Sequence, residues 1–339
     1  MANIYFYPKS DPKMDESSNP YTLNFERSLS KTHTIFNKSN NRIGVLNLFK
    51  YLLKCDIFLF NWIENIPYRR YGKFQVLIFL FFILGARILR KRIVWILHNK
   101  GLHNIKNNNW INFMFFLMMK HSHLIITHSL EGIDFSEKKY PKFSSKVRFL
   151  MHPVMEVIPV VSEVTKKYDI LIWGVIHPYK GIVHFLNSIT DSNESPLIKI
   201  LIVGKCIDKE YKKHLNKYLS ENIIHLDGFY DIKEISRFAN QSRYVLFTHK
   251  SDSVLSSGAL MDSIRMGSNI IGPNFGAFKD LSSCGFMQIY NTYDGIIKII
   301  KNKEIDLRRN SREIQKFCYK YSWSFFIEKL DKEMINILR

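Results

Sequence analysis

The sequence predicts an α/β protein made of two doubly wound parallel sheets, and three observations carry that prediction. At 339 residues the chain exceeds one ordinary core and suits two domains. Short apolar runs alternate with helical stretches along its whole length, as parallel strands covered by helices do. The pattern is interrupted once, by the polar stretch Ser162–Lys167, and then restarts. The expected domains are therefore residues 1–155 and residues 165–320.

In the first half Ile4–Tyr7 reads as an opening strand, followed by a long polar loop, Ser10–Tyr21. A helix around Leu46–Leu53 leads to the strand Asp56–Phe60. Arg92–Leu97 is the next strand, Trp110–Lys120 an apolar helix, and Leu124–Thr127 a further strand. The run Val76–Leu84 (VLIFLFFIL) extends to Leu89 and ends at Arg90-Lys91-Arg92. It is shorter than the roughly 20 residues that span a bilayer. It fits a buried helix, or an interfacial helix whose basic end meets anionic headgroups.

The second half repeats the grammar. Asp169–Gly174, Lys199–Val203, Ile223–Leu226, Tyr244–Phe247 and Asn269–Ile271 read as strands. Helices fall at Ile182–Ile189, Asp208–Leu219, Ile232–Asn240 and Ala259–Met266.

Composition narrows the function classes. The four cysteines, Cys55, Cys206, Cys284 and Cys318, are scattered and form no CxxC or Cys/His spacing. That argues against a disulfide framework and a structural zinc site and fits a reducing cytoplasm. The start of the chain lacks the basic-then-apolar pattern of a secretory signal. The net charge is +19, and residues 1–155 hold most of the excess, with 23 Lys and Arg against 9 Asp and Glu. A basic surface suits nucleic acid or anionic membrane. No aromatic-interleaved basic stripe or nucleic-acid motif stands out, so no nucleic-acid partner is expected.

Ligands of open parallel sheets bind beyond the carboxyl ends of the strands. In the first half that rule singles out Asn19 and Tyr21, Asn61, Trp62 and Glu64, His98 and Asn99, and His128. In the second half it singles out Tyr179 and Lys180, Gly204 and Lys205, Phe229 and Tyr230, and the loop Ser256-Ser257-Gly258. Each has a plainer reading: strand-end histidines satisfied in a core, a surface acid, a solvated lysine, serines that cap a helix.

The Ser-Ser-Gly loop has a further use. A helix start presents unpaired N–H groups and positive dipole, and glycine lets a phosphate come close. Lys180, in a glycine-flanked turn, would neutralise a second phosphate oxygen, so the pair suggests a diphosphate. The GxxxxGK[ST] and GxGxxG signatures are missing, as is an acidic cluster for Mg²⁺. No metal or other cofactor is expected.

These segments resemble a known group. GVIHPYKG (Gly174–Gly181), IVGK (Ile202–Lys205), DGFYDIKEI (Asp227–Ile235) and the stretch Ser251–Pro273 follow the order seen in GT-B-fold glycosyltransferases. The nearest likeness is to family 4-like enzymes of bacterial capsule and exopolysaccharide assembly. SSNPY (Ser17–Tyr21), NWIEN (Asn61–Asn65), WILHN (Trp95–Asn99), THS (Thr127–Ser129) and His152-Pro153 resemble that family's cleft loops. Tyr321-Ser322-Trp323 resembles the start of its closing helix, which implies that residues 321–339 return to the first domain.

The resemblance implies two Rossmann-like domains facing a cleft. The C-terminal one would hold a nucleotide-diphosphate sugar, with Lys180 and the Ser256–Gly258 amides on its phosphates. Gly204, Lys205, Phe229 and Tyr230 would border base and ribose. The N-terminal domain would receive the acceptor near Glu64, His98 and the Ser17–Tyr21 loop. One departure stands out. Many retaining members carry a Glu, seven residues and a second Glu, whereas this chain has Val254 and Asp262 there. No retaining mechanism is therefore carried over, and Asp262 is expected to shape the donor site or only its helix. For an inverting displacement either Glu64 or His98 is a candidate general base.

The implied function is transfer of a sugar from a nucleotide sugar to a lipid-linked acceptor at an anionic membrane surface. The expected location is cytoplasmic, peripheral to the membrane. Competing readings are a nucleotide-sugar epimerase, a basic nucleic-acid-binding protein, and a non-catalytic membrane-associated subunit on the same fold.

Overall fold

The computed structural model describes residues 1–9, 19–37, 45–101, 109–159, 164–191, 198–249, 254–302 and 307–338. Ser17, Ser18 and Ser251–Ser253, quoted above, lie outside them. The chain divides into two compact units: Met1–His152 with Trp323–Arg339, and Pro153–Ser322.

The first unit holds β1 (Asn3–Tyr7), β2 (Thr34–Ile35), β3 (Ile57–Asn61), β4 (Arg92–Leu97), β5 (Leu124–Thr127) and β6 (Val147–Phe149). They form one parallel sheet in the order β2-β1-β3-β4-β5-β6. Its helices are α1 (Pro20–Leu29), α2 (Asn47–Tyr51), α3 (Gly72–Ile88), α4 (Asn109–His121) and α5 (Leu130–Lys139). Every residue of β3 and β5 is buried, which is why these strands read as unbroken apolar runs. Side chains alternate across the sheet. Leu59, Val94, Ile96 and Ile126 join Phe25 of α1 in one core. On the other face Phe58 and Phe60 pack on Phe79 and Phe82 of α3, and Trp95 packs edge-on to Phe115 of α4.

The second unit repeats the plan. Its strands are β7 (Tyr168–Trp173), β8 (Ile200–Val203), β9 (Ile223–Leu226), β10 (Ser242–Leu246), β11 (Ile270–Pro273) and β12 (Met287–Tyr290). They pair in parallel in the order β12-β11-β10-β7-β8-β9. Around them lie α6 (Ile182–Asp191), α7 (Lys209–Asn216), α8 (Ile232–Asn240), α9 (Gly258–Arg265), α10 (Gly276–Asp280), α11 (Tyr293–Lys301) and α12 (Leu307–Lys320). The last helix, α13 (Trp323–Leu338), belongs to the first unit. Its Trp323, Phe326 and Leu330 complete the core around Phe25.

The expected doubly wound halves and returning helix are present, with corrections in detail. The polar loop Ser10–Tyr21 gives way to α1 at Pro20. Asn19 caps that helix, accepting from the Tyr21 N–H at 3.0 Å. β2, β6, β12, α5, α10, α11 and α12 were not foreseen. The first two are edge strands of two and three residues, too short to leave a period in the sequence.

Where β7 and β8 end, two loops nearly touch. Gly204 has φ +144°, and a Cβ there would sit 2.1 Å from the Gly174 carbonyl oxygen. No other residue fits that approach without moving backbone. Gly204→Ala is expected to destabilise the protein by about 2 kcal/mol or more, combining backbone strain with the clash. Thermal unfolding against the parent protein checks this; an unchanged midpoint would show that the loops separate freely.

Candidate functional site

Parallel strands deliver their carboxyl ends to one edge, so the residues that follow them become neighbours. In the first unit the chain runs from β1 outward to β2 and returns to β3 on β1's other side. Such a reversal marks the usual ligand position in these folds, at the carboxyl edge of the sheet. Tyr21 follows β1, Asn61 ends β3, and His98, His128 and His152 follow β4, β5 and β6.

These side chains form one buried ring cluster around Tyr21, which lies 4.9 Å from His98, 5.6 Å from His128 and 5.0 Å from His152 between ring centroids. The bonds set the tautomers. His128 Nδ1 lies 2.8 Å from the Leu150 carbonyl, which can only accept, so Nδ1 carries the proton. His128 Nε2 then accepts from the Tyr21 hydroxyl at 2.8 Å. The Asn61 amide nitrogen donates to the Tyr7 carbonyl, turning Oδ1 toward His98 Nε2 at 3.0 Å. His98 therefore donates from Nε2 and keeps a lone pair on Nδ1.

Burial holds both imidazoles neutral: it pushes His128 down to about 4 and His98 well below its ordinary value, with His128 and His152 adding repulsion at His98. Trp62 stacks on His98 at 4.0 Å between centroids and 14° between planes. Its backbone is left-handed, φ 50°, a conformation that costs a non-glycine residue energy and that packing must hold in place.

Glu64 is placed elsewhere. Its buried carboxylate accepts from the Trp95 indole at 3.2 Å, on the face that packs against α4, whereas His98 faces α1. Burial raises its pKa to about 7, opposed by its own backbone bond, the indole and Arg69. Asn99 sits beside His98, partly exposed, and Asn19 is committed to capping α1. His152 also joins the ring cluster, and the His152-Pro153 pair is its one signal in the sequence.

In the second unit the chain reverses between β7 and β10. Lys180 follows β7 in a short 3-10 turn, Pro178–Lys180, closed by Gly181 at φ 71°. Its ammonium folds back to donate to the Trp173 carbonyl at 3.2 Å, and burial pushes its pKa down to about 8. Thr248, after β10, donates to the Lys180 carbonyl at 2.6 Å. The Trp173 indole donates to Ser263 of α9 at 2.9 Å. Trp173 thus links the lysine turn to the helix that follows the Ser256–Gly258 loop.

The capping expectation needs a correction. Ser257 occupies the cap position of α9 but its side chain makes no capping bond, and the buried Ser256 Oγ has no hydrogen-bond partner. The amides at the start of α9 are therefore left without a side-chain acceptor. A Cβ at Gly258 would meet nothing within 4 Å, so the chain itself does not require glycine there.

Asp262 pairs with Arg265 of its own helix at 2.7 Å. Burial raises its pKa, and Arg265 opposes the rise. Val254 is a core residue.

The remaining candidates border the same edge. Lys205 lies 3.6 Å from Asp227, which also pairs with Lys212 at 2.6 Å and accepts from the Cys206 N–H. Phe229 is 80% exposed, Tyr230 packs edge-on to Phe238, and Tyr179 lies against His177 and His249. A separate pocket of about 520 Å³ opens beyond β10, β11 and β12, lined in part by His249, Asn274, Tyr290 and Asp294. None of the sequence-derived donor residues lines it. Among the described residues, no group of three or more His, Cys, Asp or Glu is placed to hold a metal ion.

No family model matches the chain, and no curated protein matches its sequence. Solved structures match its fold. HepE of Anabaena, in complex with UDP and glucose, gives a TM-score of 0.71 at 12% identity, covering 99% of this chain and 100% of HepE. The pneumococcal O-GlcNAc transferase GtfA, in complex with UDP and GlcNAc, gives 0.59 at 14% identity, covering 88% of this chain and 61% of GtfA. A glycosyltransferase of Rickettsia africae gives 0.59 at 14% identity, covering 93% and 88%. GtfA and the Rickettsia protein are sugar transferases by name, and at such identities the likeness is one of fold. The chain has a two-unit α/β fold of the GT-B type.

The neutral histidines make the first unit acid-sensitive. The unfolded chain binds a proton at His128 near pH 6.5, the folded one only near 4. Stability is therefore lost as pH falls between those values, by about 3 kcal/mol from His128 alone. Thermal unfolding at pH 7 and pH 4.5 is expected to show this loss, and His128→Gln to shrink it. An equal loss in the variant would move the effect to other groups.

Proposed function

We propose that the chain is a glycosyltransferase that moves a sugar from a nucleotide-diphosphate sugar to a saccharide acceptor. The observation that carries this reading is the chain reversal between β7 and β10 in a fold of the GT-B type. There Lys180 and an uncapped helix start are tied to one tryptophan. A low-dielectric cation and oriented amides stabilise the negative charge that develops on a departing diphosphate. In this reading they serve in place of a divalent cation. Gly204, Lys205, Phe229, Tyr230 and Tyr179 border the nucleotide, and Asp262, held by Arg265, fixes the first turns of α9.

The acceptor is assigned to the first unit, with Tyr21, Asn61, Trp62, Asn99 and His128 around it. Between the two candidate bases the geometry favours His98: it is neutral, its Nδ1 keeps a lone pair, and Asn61 and Trp62 fix its ring. Glu64 is engaged with Trp95. The acceptor is proposed to be lipid-linked, held at an anionic membrane surface, in assembly of a surface polysaccharide such as a capsule or exopolysaccharide. Among the described residues no helix is long and apolar enough to cross a membrane, so contact with lipid would be peripheral. Val254 in the core favours a second reading, a chain that binds the nucleotide sugar without turnover; donor consumption on adding acceptor separates the two.

UDP, the nucleotide bound by HepE and GtfA, is the first probe, with GDP- and dTDP-sugars beside it. One of them is expected to raise the melting temperature; no response to any would remove the donor reading. Gly258→Ala has room in the empty protein, so its stability should match the parent while nucleotide affinity falls roughly tenfold or more, because the Cβ takes the phosphate's place. Equal affinity would free α9 from the site. Affinity should also fall as pH rises past about 8, where Lys180 loses its proton, and Lys180→Ala should weaken binding and flatten that dependence.

A further inference from the structure

The outer faces of three helices in the first unit carry a concentration of exposed apolar side chains that the fold leaves uncovered. On α3, Phe74, Leu77, Phe81, Leu84 and Ile88 are each 49–80% exposed. Their spacing of three and four residues sets them on one stripe. The opposite stripe, with Val76, Phe79, Phe82 and Ile83, is buried against the sheet. α3 is therefore apolar on both faces, and the buried-helix expectation describes the inner one. Trp110, Phe113 and Phe116 continue the exposed surface on α4, and Phe49 and Leu53 continue it at α2.

The three helices form one surface. α3 connects β3 to β4 and α4 connects β4 to β5, neighbouring strands of the sheet, and both pack on its same face. Phe49 of α2 meets Phe82 of α3, and the 3-10 turn Ile63–Tyr68 packs against both α3 and α4. Large exposed apolar patches with a polar rim mark contact surfaces.

Charge identifies the occupant. α2, α3 and α4 contain no Asp or Glu. Around the stripe stand exposed Lys50, Lys54, Lys73, Arg87, Arg90 and Lys120. A second copy of this chain would set this cationic rim against its like. An anionic bilayer accepts both parts at once, the rim on headgroups and the stripe at the acyl boundary. With 17 residues, α3 is about 25 Å long.

We infer that the outer face of α2, α3 and α4 is a lipid-docking face, with α3 lying in the plane of an anionic bilayer. The inference rests on the proposed function in that it names the surface meeting the membrane that holds the acceptor. It also gives an orientation. A crossover helix runs back against its strands, so the Gly72 end of α3 lies at the sheet edge that bears Asn61 and His98. A helix lying on the bilayer brings that edge level with the headgroups, where a lipid-linked sugar is presented.

Flotation with phosphatidylcholine vesicles, with and without phosphatidylglycerol, tests the face. Binding should require the anionic lipid, weaken at high salt, and fall roughly tenfold or more in Phe81→Ser/Leu84→Ser. Tyr319→Ser, which removes an 84% exposed ring from α12 in the second unit, should leave it unchanged. Brominated acyl chains should quench Trp110 in the parent but not in the double variant. Absence of binding, or equal binding by the double variant, would overturn the inference. So would a concentration-dependent dimer that the double variant abolishes while vesicles are ignored, since the face would then be a self-interface. UDP affinity is measured on the same preparations without vesicles. No affinity for UDP or for the GDP- and dTDP-sugars would sink the donor reading alone, and nucleotide binding without vesicle binding would sink the docking face alone.

Discussion

A parallel strand leaves its sheet at the same edge as all its neighbours, and the chain must cross back outside the sheet before the next one can begin. That constraint organises both units. It requires helices on both faces, so the strands are buried from both sides and made almost wholly of Ile, Leu, Val and Phe. It also leaves the polar residues of the chain few places to gather, and the carboxyl edge is the main one. Tyr21, Asn61, His98 and His128 are separated by up to 107 residues in sequence, yet they share one cluster because each follows a different strand.

Burial then decides what those residues can do. Water is excluded from the ring cluster, so a proton on imidazole has nothing to solvate it, and each histidine stays neutral in a tautomer fixed by a carbonyl or an amide. The same physics acts on Lys180 in the opposite sense of usefulness. A lysine whose charge is costly gains more from an arriving anion than one already hydrated.

Much of this was legible in the sequence, and the reasons are particular. The central strands announced themselves because burial on both faces confines polar residues to their ends. The residues after them could be singled out by the strand-end rule alone. α1 was missed because PYTLNFERSL carries too few apolar residues to show a period, and its signal was the Asn-Pro pair that caps it. Glu64 shows a deeper limit. Its place after a strand says it is near the edge, while the partner that holds its carboxylate, Trp95, lies 31 residues away on the neighbouring strand. Nor could the sequence show that α3 is covered on one side only, since both of its stripes are equally apolar and only packing tells them apart.

The stacking of Trp62 on His98 gives the first unit a built-in optical probe. An indole stacked 4.0 Å from an imidazole and nearly parallel to it emits differently according to whether that imidazole carries charge or is displaced. Trp95 and Trp323, by contrast, are buried in the cores on either side of the sheet. Whatever reaches the edge beside His98 would therefore change the light from Trp62 first, with Trp323 one ring further off behind Tyr21, and the chain would report its own occupancy without a label.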